Sequence, residues 1–552
     1  MLSWSSAVLA AITAGILGYW LHWRWSHRRM LQLAARLPGP RAWPVIGNAL
    51  MFMRRPEDIL GVISSLVREH GCYSRVWLGP ELQVVVQDPA DIRMLLQKVN
   101  KKGPSYEFLV PFIGEGILTG GPTWRLHRKL ATPSYNKRSV QHFQEVFNEE
   151  AGHLARLLAT KDPGKTFNVY EDVVDTTTQM VCRTLMGLSK KDAQSVHRLA
   201  EVVKETPNMY TLIFQKMTRW FYQIPTIYYL VGAKAKEQYY VNIVDDLSTD
   251  IVAKRRKALK EENVTSLEET DTAAIGIVDR YILSGELTEQ EIKCETFSLF
   301  TTSQEAGAKI ASGVLLVLAH LPNWQEKVYN EIVETLGPLD GEVSEEDVKK
   351  LQYLDMVYRE VLRYLSIAAL IQRTVEEEVT INDDGVLEGE VSEEDVKRLQ
   401  YLDVVYREVL RYLSIAALIQ RTVEEEVTIV YGKLTLPVGT SLVIPIHQLH
   451  RDPAHWAHPD RVMPERFLPE NCKGRDPNAF VPFSLGPMDC LGRVYATAMI
   501  KTLVVRLLRR LVFEASGSLE SLELHVAISV RFAQGYRLRV RPRTVASGRV
   551  NA

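Results

Sequence analysis

Residues 483–493 read FSLGPMDCLGR. Gly486 and Pro487 favour a sharp turn, Cys490 closes the loop, and Gly492 opens the stretch GRVYATAMIKTLVVRLLRR, which has a helical pattern running to about Phe513. A thiol just ahead of a helix is favoured in its ionised form by the helix dipole and by unpaired backbone N–H groups. The glycines around it let the main chain approach a flat ligand closely. This combination reads as a ligand loop built on a thiolate, against the plainer alternative of a buried structural cysteine. Cys72, Cys182, Cys294 and Cys472 are scattered and free of any Cys-x-x-Cys spacing, so they suit neither a disulfide framework nor a zinc site. A reducing compartment follows for the main body.

Outward from this loop, the chain has 552 residues, of which 46% are hydrophobic, enough for a large core. Its 66 basic and 67 acidic residues leave a net charge of -1, which argues against a nucleic-acid partner. The first charged residue is Arg24, preceded by an apolar run with Trp4, Tyr19, Trp20 and Trp23 towards its ends. Such a run predicts one N-terminal transmembrane helix over residues 1–23. Arg24, Arg28 and Arg29 follow the run, so it reads as an uncleaved anchor with the body on the cytosolic side. Residues 24–48 form a basic hinge rich in proline and glycine (LPGPRAWPVIGN at 37–48), residues 49–545 the main body and 546–552 a tail. Within the body, Thr288 and Glu291 make a capping-box pattern and no proline follows until Pro322. They predict a helix of roughly 30 residues, about 45 Å long, apolar nearly all round and therefore buried. SRVWL and LQVVVQ near 74–87, and 427–446 with breaks at Gly432 and Pro437–Gly439, read as strands. The fold class is mainly α with small β-sheets.

Residues 341–381 recur almost verbatim at 389–429, differing at Lys350/Arg398 and Met356/Val404. Solenoid repeats diverge and recur at least about three times, so this is a tandem duplication or two joined alternative exons. One slot in a core cannot hold both copies of the same helix.

The spacing Phe-x-x-Gly-x-x-x-Cys-x-Gly (Phe483, Gly486, Cys490, Gly492) resembles the haem loop of the cytochrome P-450 superfamily. The rest of the chain resembles that superfamily in the same order: the anchor and LPGP hinge, Trp124-Arg-Leu-His-Arg128, the long helix around Glu305, Glu-x-x-Arg (Glu360/Arg363 and Glu408/Arg411), Pro464-Glu-Arg-Phe467 and the cysteine loop. Phrases such as AHLPNWQEKVYNEI and RVMPERFLPE look most like family-4-type microsomal enzymes, especially those of insects. The resemblance implies the cytochrome P-450 fold and a haem b whose iron is bound by Cys490, with Trp124 and Arg128 on its propionates. Arg421 or its twin Arg373 would be a further propionate partner. Arg466 would close a buried network with Glu408 and Arg411, which are expected to take the core slot because the sheet must be threaded from their end. The first copy would then be an exposed insertion.

Two departures from the family pattern stand out. The aligned oxygen-activating residues are Thr302, Ser303, Gln304, Glu305, Ala306 and Gly307, so the acid survives as Glu305 while the expected hydroxyl is replaced by Ala306. Thr302 or Ser303 would have to substitute through water. Thr302 also occupies the position where some family-4 enzymes esterify haem, so no covalent ester is expected. In the loop, Met488 and Asp489 replace a basic residue that usually meets a propionate, and an acid there would repel one. The implied activity is insertion of one oxygen atom from O2 into a lipophilic substrate, a fatty acid or a foreign compound, seated against Phe300, Thr301 and Ala306. Electrons would come from NADPH through NADPH-cytochrome P-450 reductase docking near Arg125, Lys129 and Lys137, with cytochrome b5 a second partner, at the endoplasmic reticulum membrane. Two rival readings stand beside it: a haem-thiolate isomerase or dehydratase acting on peroxides, and a haem protein impaired by the duplication and the missing threonine.

Overall fold

The computed structural model describes residues 4–55, 58–269, 275–337, 342–351, 353–355, 357–358, 361, 419–423, 427–429, 434–436, 439–463, 466 and 469–543. They form a mainly helical body with four small sheets among the described residues.

The apolar run at the start folds as helix α1, Trp4–Ser26, a little past the expected boundary. Its end is docked: Trp23 meets Trp77 edge-on with ring centroids 5.7 Å apart. Leu17, Tyr19 and Leu21 further back are exposed. Among the described residues no helix is long and apolar enough to cross a membrane.

Strands β1 (Tyr73–Leu78) and β2 (Glu81–Val86) form where strand-like runs are expected, and they pair antiparallel. Beyond them lie α2 (Pro89–Lys98), capped by Asp88, then α3 (Trp124–Ala131), α4 (Lys137–Ala159), α5 (Val169–Arg183), α6 (Leu199–Thr218) and α7 (Ala233–Glu261). The long helix α8 spans Glu289–His320, 32 residues, and both halves of its capping box at Thr288 and Glu291 are made. It stops just before Pro322, which opens α9, Pro322–Leu336. From Glu295 to Ala319 every residue of α8 is buried except Thr302, Ser303 and Ala306, which are half-buried. These three lie on one stripe of the helix. Helices α5 and α7 pack on α8, and large side chains such as Phe297 and Val314 each contribute roughly 1.5–3 kcal/mol by burial.

The duplicated segment enters the core through its first copy. Helix α10, Glu345–Lys350, starts on a Ser344/Asp347 capping box. After it Leu351, Leu354, Val357, Tyr358 and Val361 are buried, and Gln144 and Asn148 donate to Val343 O at 2.8 and 2.7 Å. The described part of the first copy is thus no exposed insertion, contrary to the sequence expectation. It lies close to α9 in the chain, so little loop entropy is spent in bringing it to the core. The tail of the second copy supplies β3, Ile419–Val423, which pairs antiparallel with β4, Thr440–Ile444. β4 in turn lies parallel to β2, with Val84 opposite Leu442. The sheet order is β1-β2-β4-β3. Further strands occupy Val427–Ile429 and Leu434–Leu436, as expected around Gly432 and Pro437.

Helix α11 after the cysteine loop spans Arg493–Leu508 and packs on α4 and α8. It ends before the expected Phe513, because Leu511–Glu514 is recruited as a strand by Arg537–Pro542. A partner strand here overrides the helical pattern.

Candidate functional site

The loop ahead of α11 is closed by a bond from Cys490 N to Phe483 O at 2.9 Å. Ser484 and Gly486 both take left-handed backbone angles, φ 64° and 76°. At Gly486 a side chain has no room: a Cβ there would lie 2.3 Å from Leu96 O in α2. The turn is thereby pressed against α2, with Phe483 and Met488 buried and Cys490 exposed. Exposed as a residue, Cys490 nonetheless has enough protein packed around its sulfur to govern its charge. Burial pushes the thiol up to about 11; the Gly492 N–H, Arg128 and Arg493 pull it down, and Asp489 pushes it further up. The helix end alone therefore does not ionise Cys490, as its position had suggested. A metal cation on the sulfur would.

Helix α3 carries the residues expected beside that ligand. Trp124 is buried, and the Arg125 guanidinium lies over its ring, 4.8 Å from the centroid. Arg128 turns to the cysteine loop, where Nη1 donates to Asp489 O at 2.9 Å and Nη2 to Asp489 Oδ1 at 2.5 Å. His127 points the other way, its Nδ1 2.9 Å from Glu295 Oε1 and its Nε2 3.5 Å from Glu291 Oε1 on α8. Burial alone would lower this histidine's pKa, but the two carboxylates more than offset it and the net shift is upward. Ile117 N also donates to Glu295 Oε1, at 2.7 Å. This clamp fixes α3 on α8.

On the half-buried stripe of α8, Thr302 Oγ1 donates to Ser298 O at 2.7 Å, within its own helix. Ser303 Oγ instead lies 3.3 Å from Tyr135 Oη. The ring of Tyr135 comes near the cysteine loop, since a Cβ on Gly492 would be 3.6 Å from it. Glu305 is buried, accepting from Lys309 Nζ at 2.5 Å and Ser529 Oγ at 3.2 Å. Burial pulls the Lys309 pKa down, while Glu305 opposes that. A cavity of about 70 Å³ adjoins the pair, lined among others by Tyr210, Ser529, Arg531 and Tyr536. Phe300 and Thr301, expected to face a substrate, are buried, Thr301 with its hydroxyl 3.1 Å from Tyr210 Oη. Tyr210 belongs to helix α6.

A family model for cytochrome P450 matches residues 37–389 and again 383–530. The chain belongs to the cytochrome P450 family. The two matched pieces meet at the join between the repeats, and each contains one copy. The chain is 26% identical to cytochrome P450 4c3 of Drosophila melanogaster, over 98% of this chain and 96% of that protein. It is 27% identical to probable cytochrome P450 4s3 of the same fly, over 93% of each. Human cytochrome P450 4V2 is 24% identical over 94% of this chain and 91% of its own. As a P450, the chain is a monooxygenase of the class that binds haem b through a cysteine thiolate.

The residues present fit such a haem on the sulfur side. Exposed Cys490, the tight turn at Gly486 and the buried Trp124 are the donor and packing set it requires. The propionate side is thinner, because Arg128 is engaged by Asp489 and buried Met488 brings no charge. Arg421 lies in β3 opposite Leu442. Arg466 is buried, with Nη2 donating to His458 O and, at 3.2 Å, to Arg461 O. Glu360, Arg363, Arg373, Glu408 and Arg411 lie outside the described residues. Of the basic residues considered for reductase docking, Arg125, Lys129 and Lys137 are all exposed, and Lys137 Nζ lies 3.4 Å from Glu346 Oε1. Sequence reasoning missed Tyr135, the His127–Glu295 clamp and the Arg128–Asp489 bond, whose partners lie 168 or 361 positions apart for the last two. Lys309 carried a local signal: a lysine four residues after Glu305 in an otherwise apolar helix.

Proposed function

We propose that this P450 inserts one oxygen atom from O2 into a lipophilic substrate, with Cys490 as the thiolate ligand and electrons from NADPH through a flavin reductase. The observation that carries this reading is exposed Cys490 in a loop held by the close approach of Gly486 to α2 and by Arg128 of α3. Bound haem supplies the iron at which oxygen is activated. Trp124 and Arg128 would hold it, while Phe483 and Gly486 shape the loop that carries Cys490. With Ala306 lacking a hydroxyl and Thr302 bonded within its own helix, Ser303 is the hydroxyl that holds a proton on the half-buried stripe, steadied by Tyr135 Oη. Glu305, bonded to Lys309, orders water in the adjoining cavity. Exposed Leu17, Tyr19 and Leu21 on α1, followed by Arg24, Arg28 and Arg29, support attachment to the endoplasmic reticulum membrane with the body in the cytosol.

The test is the carbon-monoxide difference spectrum of the reduced full chain. The shifted Soret band of a thiolate haem is expected, lost in Cys490→Ser, in a membrane fraction that resists alkaline carbonate unless residues 1–26 are removed. Product formation must then require NADPH and reductase. Turnover of a hydroperoxide without NADPH, and none with it, would establish the isomerase reading instead.

A further inference from the structure

We propose that Asp489 competes with a haem propionate for Arg128, so that this chain holds its haem less firmly than its cysteine loop would otherwise allow. The inference rests on the reading of this loop and α3 as a haem cradle. A guanidinium offers five N–H donors in one planar fork. Here one edge is already committed, Nη1 to Asp489 O at 2.9 Å and Nη2 to Asp489 Oδ1 at 2.5 Å. The side chains are 19% and 37% exposed, so the pair is only partly screened by water. The nearby residues offer little in exchange. Met488, the preceding residue, is buried and uncharged. Arg125 is turned away over the ring of Trp124.

This geometry has two consequences. A propionate reaching Arg128 meets a carboxylate of its own sign on the same guanidinium. It also replaces contacts that the protein makes without haem, so the net gain from binding shrinks. The Asp489–Arg128 bond also ties the cysteine loop to α3. Asp489 therefore stabilises the haem-free fold and weakens the haem-bound one, and these effects have opposite signs.

Asp489→Asn separates them, because it keeps the shape and an acceptor oxygen but removes the charge. Haem transfer from the reconstituted full chain to excess apomyoglobin is followed at the Soret band, and urea unfolding of the haem-free chain by circular dichroism. The variant is expected to release haem roughly tenfold more slowly while its haem-free form unfolds at lower urea. Release that is unchanged or faster, alongside the lower midpoint, overturns the proposal and leaves Asp489 as a loop fastener only. Asp489→Ser must move both readings in the same directions. If neither parent nor variant binds haem, the cradle reading falls and this inference with it; binding by the variant alone is its strongest confirmation.

Discussion

Ala306 removes the hydroxyl that the aligned P450 position leads one to expect, and the two nearest substitutes are not equivalent. Thr302 spends its proton on the carbonyl of Ser298, a helix turn back. Ser303 reaches across to Tyr135, near the cysteine loop. Ser303→Ala is therefore expected to raise the hydrogen peroxide released per NADPH consumed and cut coupled product by about tenfold or more, whereas Thr302→Ala leaves both near the parent values. Peroxide and product assays on the reconstituted system check this, and the opposite ranking transfers the role to Thr302. Glu305 was legible from its place in the motif, but its partnership with Lys309 sets its environment. Removing Lys309 would leave the buried Glu305 with the Ser529 hydroxyl but without its cation, at a cost of about 3–5 kcal/mol.

At the scale of elements, the cysteine loop is shaped by what lies behind it. Gly486 has φ 76°, and a Cβ there would sit 2.3 Å from the carbonyl oxygen of Leu96. Gly486→Ala must bear a left-handed angle costing about 1–2 kcal/mol and also push the loop off α2. The expected result is a chain with near-parent helix content but reduced haem content after purification, read from the Soret-to-protein absorbance ratio; full haem content would show that the loop tolerates displacement. Helix α8 was readable at both ends, from the Thr288/Glu291 box and Pro322, because caps and breakers act locally. The end of α11 was not readable. Leu511–Glu514 has a helix-compatible pattern and becomes a strand only because Arg537–Pro542 arrives beside it.

For the molecule as a whole, the duplication is the main puzzle of assembly. The first copy buries Leu351, Leu354 and Tyr358, while the second contributes β3 to the sheet with β4. The chain thus enters the repeat through one copy and leaves it through the other. Deleting residues 382–429 joins the end of the first copy directly to residue 430, leaving 552 − 48 = 504 residues. Since the two copies are nearly identical, the shortened chain retains one helix for one slot and one strand for one sheet position. It is expected to yield more haem-loaded protein, with a thiolate-type carbon-monoxide spectrum at least as strong per mole as that of the full chain. A weaker spectrum would mean that the second copy supports the haem site.

The family, the thiolate loop and the long helix came from the residues alone, because turns, caps and ligand spacings act over a few positions. Cys490, Glu305 and Trp124 could be named for the same reason. The charge state of Cys490, the capture of Arg128 by Asp489, the clamp of His127 on Glu295 and the burial of the first repeat copy belong to the tertiary structure. Each depends on groups brought together from distant parts of the chain, where burial and packing, which no local pattern encodes, decide which partner is met.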